Sequence, residues 1–154
     1  MFEFLKIRRS VELFSNEIDR EINSFFHTSK AVLAIEILMG YVDFASSCIF
    51  VARRTLPRQT LGSFAKRFRY KISHGHHDNL PIIYDNSLAE LESRFGTFPV
   101  KSDLEIFQYS AKRLVCNHRT EGDKPEDEAE IEAAFVSIAS RLLQRLTTLL
   151  RDSL

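Results

Sequence analysis

Arg113 and His118 are separated by four residues in the run Arg113-Leu114-Val115-Cys116-Asn117-His118, at the point where a helical pattern runs out. A guanidinium can hold a phosphate oxygen and stabilise the extra negative charge of a pentacoordinate state. An imidazole titrating near neutrality can take the proton from a ribose 2′-hydroxyl or give one to the leaving 5′-oxygen. Such chemistry needs no metal, spares DNA and leaves a 2′,3′-cyclic phosphate. The run also reads as the basic last turn of a helix, where Arg and His suit the negative end of the macrodipole.

Helical geometry decides what the pair requires. Five residues advance about 500°, so Arg113 and His118 lie roughly 140° apart around an ideal helix axis. Asn117, four residues after Arg113, shares its face instead and is the residue placed to orient or polarise. Convergence on one phosphate then needs a helix that frays or tightens near Asn117, or two copies packed with one subunit's Arg facing the other's His. The second arrangement predicts a homodimer with a composite site. An ion pair from Arg113 to Glu121 or Asp123 after the turn is the competing arrangement, and it neutralises the phosphate-binding charge.

A second Arg-x4-His stands at Arg69-Tyr70-Lys71-Ile72-Ser73-His74, running from a basic helix into a loop. Here Arg67, Arg69 and Lys71 are phosphate-binding types and Tyr70 can stack a base, which makes the four candidates for gripping single-stranded RNA. His74, His76, His77 and Asp78 crowd five positions and include metal-ligand types. Zinc ligands usually come from at least two separated segments, and only distant His27 and His118 offer a partner, so a solvated loop is preferred and no metal is assigned. There is no Gly-rich phosphate loop, Cys-x2-Cys pair, Gly-x-Ser-x-Gly elbow or His-Glu-x-x-His, and no cofactor is expected.

The elements that must position these residues are helical. A chain of 154 residues, 44% apolar and 27% charged, is one domain spanning 1–154. Formal charge is zero, with 21 basic and 21 acidic residues. The charge is unevenly spread: no acidic residue falls between Asp43 and Asp78, a window that holds Arg53, Arg54, Arg58, Lys66, Arg67, Arg69 and Lys71. A local basic face follows from that window. Two cysteines, Cys48 and Cys116, and no secretory signal at the start fit free thiols in a reducing, cytoplasmic compartment. Ala31 to Ala52 has about the length of a membrane span, but Glu36 and Asp43 interrupt it, and it reads as a central core helix with no membrane partner.

Periodicity predicts an all-α bundle of about five to six helices. The first begins near Ser10 and buries Val11, Phe14, Ile18, Ile22, Phe25 and Phe26. The second runs from about Ser29 to Arg54 and is closed by Leu56-Pro57. Thr60 caps a third through Leu61, Phe64, Ala65 and Phe68. The stretch 73–86 reads as a long loop, after which Ser87 caps a helix that Gly96 ends as a C′ residue. Ser102 with Glu105 has the form of a capping box for a helix beginning at Asp103 and carrying Leu104, Phe107, Ala111, Leu114 and Val115 inward. The last helix opens at Pro125 and buries Ile131, Phe135, Ile138, Leu142, Leu146, Leu149 and Leu150.

An all-helical domain of this size, with Arg-x4-His ending its penultimate helix and one more amphipathic helix after it, resembles the HEPN superfamily. The Thr60-Leu61-Gly62 start of the basic helix is similar to openings in several branches. The resemblance covers most of the chain as architecture and residues 113–118 as motif. It implies a metal-independent endoribonuclease of a toxin, anti-phage or stress system, acting as a homodimer through Arg113 and His118, with an antitoxin or regulatory protein as a partner. Leu114 departs from the pattern, since the residue after the Arg is usually polar. HEPN domains without activity serve as dimerisation or adaptor modules, and that is the alternative the departure raises.

Overall fold

The computed structural model describes residues 2–25, 34–75, 79–97, 101–117 and 125–152. The described residues form six helices and no strand: α1 Phe2–Phe25, α2 Ala34–Ala52, α3 Arg58–Ser73, α4 Leu80–Phe95, α5 Asp103–Asn117 and α6 Pro125–Arg151. The expected all-α, single-domain bundle is the architecture found.

α2 is the axis on which the others pack, touching α1, α4, α5 and α6. Its run Phe44 to Ala52 is buried on every side, as expected for a helix that is apolar around its whole circumference. Polar groups inside it are satisfied locally or across the core. Ser47 donates to the Asp43 carbonyl at 2.7 Å, and the Cys48 thiol reaches the Ala139 carbonyl on α6 at 3.5 Å. Among the described residues no helix is long and apolar enough to cross a membrane.

Aromatic rings fill the core. Phe14 on α1 meets Phe64 and Phe68 on α3 at 5.7 and 5.8 Å between centroids. Phe44 on α2 stacks on Phe135 of α6 at 4.3 Å, with Phe25 edge-on to Phe44 at 5.7 Å. The capping box is present: the Ser102 N–H donates to a Glu105 carboxylate oxygen and the Glu105 N–H to the Ser102 hydroxyl, each at 3.2 Å.

Several boundaries differ from the expectation. α1 starts at Phe2 rather than near Ser10, because Ile7 extends the buried stripe one turn upstream of Val11, and Ser10 is itself buried. α3 starts at Arg58, directly after Pro57, with no cap from Thr60. The largest difference is α4, which begins at Leu80 inside the stretch read as loop. Pro81 lies in its first turn, where a fixed φ favours a helix start. The inward stripe there mixes Tyr84 and Ser87 with Leu91, so its apolar period is broken, and Ser87 is a buried mid-helix residue rather than a cap. Gly96 caps α4 with φ −75°, not as a left-handed C′ residue, and a Cβ there would collide with the Glu92 carbonyl. Leu104 and Ile131, expected inward, are 51% and 42% exposed, each standing in the first two turns of its helix.

Candidate functional site

Two constellations hold the residues singled out by chemistry, and they lie on different parts of the bundle. The first is centred on Arg113, in the last turn but one of α5. Its Nη2 donates to Asp43 Oδ1 on α2 at 2.6 Å and to Ser87 Oγ on α4 at 2.6 Å, and its Nη1 donates to Glu90 Oε2 on α4 at 2.7 Å. Ser87 is joined in turn to Ser46 on α2 at 2.8 Å. The Tyr109 hydroxyl, one turn before Arg113, donates to the other Glu90 oxygen. Arg94 lies over the Tyr109 ring at 4.6 Å and Phe95 meets it edge-on at 5.3 Å. The side chain of Arg113 is 15% exposed and that of Asp43 6%.

Arg113 is therefore a clamp joining three helices. Both hydrogens of Nη2 are taken, and Asp43 and Glu90 face the guanidinium, so its charge is matched within the fold rather than held free for a phosphate. The competing partners expected after the turn, Glu121 and Asp123, lie outside the described residues. The carboxylates that hold Arg113 come from elsewhere, 70 and 23 residues upstream. Asn117 is the last residue of α5. His118 lies outside the described residues.

Protonation follows from burial. Desolvation pushes the Asp43 carboxyl up to about 6, with the charge and hydrogen bond of Arg113 pulling it back down. The hydrogen bond from Tyr109, aided by Arg113, holds Glu90 below the ordinary carboxylate range. Because Asp43 binds its proton more tightly folded than unfolded, its contribution to stability grows as pH falls from 7 through about 6. Glu90 acts in the opposite sense, its contribution being lost as pH falls below the ordinary glutamate range. Urea unfolding of wild type and Asp43→Asn should therefore show the wild type gaining on the variant between pH 7 and pH 5. A pH-independent difference would show that Asp43 does not titrate in that interval.

The second constellation is a cleft of about 480 Å³ between α1 and α3, floored by α2. Arg67, Tyr70, Lys71 and His74 recur at steps of three and four along α3 and form one wall. Glu12, Ser15 and Asp19 of α1 form the other, with Leu38, Tyr41 and Leu80 between. Lys71 bridges the walls to both oxygens of Glu12 at 3.0 and 3.1 Å. Ser15 and Tyr41 share a hydrogen bond of 2.9 Å at the floor. Arg67 lies 4.8 Å over the Tyr70 ring, and His74 stacks on Tyr70 at 4.0 Å. Since His74 Nδ1 is 2.9 Å from the Tyr70 carbonyl, an acceptor, Nδ1 carries the hydrogen and Nε2 is left as an acceptor in the neutral ring.

Three of the four residues expected to grip RNA thus share one wall, and the fourth does not. Arg69 stands 200° around the helix from Arg67 and makes a two-pronged ion pair with Asp85 of α4, at 2.8 Å from Nη2. With Lys71 on Glu12 and Arg54 on Asp103, much of the basic window is neutralised within the fold. His76, His77 and Asp78 lie outside the described residues. Comparison with protein families, with curated proteins and with solved structures finds no match to this chain.

Proposed function

We propose that this chain is a non-catalytic helical interaction module, of HEPN-like build, that binds a protein partner. One observation carries the reading: Arg113, the residue that would hold a phosphate, is consumed by Asp43, Ser87 and Glu90 and ties α5 to α2 and α4. Releasing it to a substrate would leave Asp43 buried without its counter-charge, a cost that any phosphate contact would have to repay first. Leu114 adds to this, being buried in the core where an active HEPN helix resembling this one would carry a polar side chain.

The reading is tested against endoribonuclease activity. Purified protein incubated with labelled single-stranded RNA in excess EDTA is expected to give no cleavage across several sequences. An EDTA-resistant activity that leaves cyclic phosphate ends and disappears in His118→Ala would overturn the proposal in favour of a homodimeric nuclease using Arg113, Asn117 and His118.

A further inference from the structure

We propose that the cleft between α1 and α3 is the recognition groove of this module, and that it takes a short extended peptide segment carrying one acidic and one basic residue on either side of a flat side chain. The inference deepens the adaptor reading and rests on it. It starts from which groups in the cleft are already matched. Lys71 and Glu12 satisfy each other across the walls. Among the described residues Arg67 meets only aromatic faces, those of Phe4 at 5.7 Å and Tyr70 at 4.8 Å, and has no carboxylate. Asp19, whose carboxyl burial pushes up from its ordinary value against the pull of Lys71, has no hydrogen-bonded cation. One charge of each sign on opposite walls therefore lacks a hydrogen-bonded partner, Asp19 feeling Lys71 only at longer range.

These two charges lie on either side of the Glu12–Lys71 bridge. Arg67 is one turn before Lys71 and sits at the Phe4 end of α1, while Asp19 is two turns beyond Glu12. At about 1.5 Å per helical residue their separation along the groove is on the order of 10–15 Å. An amino acid or a single ion cannot span that distance, whereas three to five extended residues at about 3.3 Å each can. Next to Arg67, which already lies over the Tyr70 ring, the groove presents the exposed edge of Tyr70 and the exposed His74 stacked on it, with the Nε2 acceptor left over. That surface suits a flat side chain bearing an N–H.

Charge chooses the peptide over a polyanion. A strand of RNA or an anionic lipid surface laid along Arg67 and Lys71 would run beside Glu12 and Asp19 on the facing wall. A segment with both signs meets both walls.

The chain contains no tryptophan, so a tryptophan-containing peptide reports its own binding by fluorescence against a dark background. The probes are blocked five-residue peptides with Trp at the centre and Glu and Lys at the two ends, Glu at both, or Lys at both. The mixed peptide is expected to bind at least tenfold tighter than either like-charged one. Arg67→Met, which keeps the aliphatic stem, should abolish its advantage over the double-Lys peptide only, and Asp19→Asn its advantage over the double-Glu peptide only. Circular dichroism of each variant establishes that it folds. Equal affinities, no binding of any peptide, or tighter binding of a five-nucleotide RNA overturns the groove assignment. RNA cleavage by the same preparation overturns the adaptor reading itself, so the two failures are told apart.

Discussion

Arg113→Ala is expected to lower the free energy of unfolding at pH 7 by about 3–5 kcal/mol, the usual consequence of removing one partner of a buried ion pair. The Asp43 contact dominates that figure, because Asp43 is buried whereas Glu90 is 46% exposed and its share of the clamp is screened by water. Without the guanidinium, Asp43 can escape its isolation only by binding a proton. The destabilisation should therefore shrink between pH 7 and pH 5, and Asp43→Asn added to Arg113→Ala should recover part of it. Urea titration followed by far-ultraviolet circular dichroism provides the measurement. A loss below about 1 kcal/mol at pH 7 would mean that Arg113 is spare to the fold, as a dedicated catalytic group could be, and would reopen the nuclease reading.

Phe44→Ala should cost about as much, roughly 3–5 kcal/mol, by a different mechanism. The Phe44 ring is fully buried, lies 11° from parallel with Phe135, and meets Phe25 edge-on. Deleting it opens a void where α1, α2 and α6 converge. Against a total stability of about 5–15 kcal/mol for a domain, such a loss is a large fraction, and the thermal midpoint should fall by on the order of 10 °C. A fall of only one or two degrees would show that α6 slides inward to close the gap.

How far the chain could be read before its structure depends on the range of the interaction in question. Local signals carried the capping box at Ser102 and Glu105, the Pro125 start of α6 and the stripes of Phe14 and Phe135, because each is settled within one or two helical turns. Over α4 the local signals conflict: Gly75, Pro81 and two Asn residues read as loop, while the buried faces of Tyr84 and Ser87 become visible only once α2 is beside them. The partners of Arg113 belong to the same class. Asp43 reads as an interruption of an apolar run, and Ser87 as a cap, until packing brings α2, α4 and α5 to one point. One wall of the cleft is legible in part, since Arg67, Tyr70, Lys71 and His74 follow helical spacing, while the facing wall on α1 is not. Arg69 differs from them in phase, which turns it toward Asp85.

The two cysteines give this fold an experimental handle. Cys48 lies fully buried in α2, its thiol pushed up by desolvation, whereas Cys116 is exposed in the last turn of α5, three residues from the clamp. A thiol-reactive dye added to the folded protein should attach at Cys116 alone, with no engineered site. Its signal would follow the end of α5 directly, and slow uptake of a second equivalent at Cys48 would time the opening of the bundle's central helix.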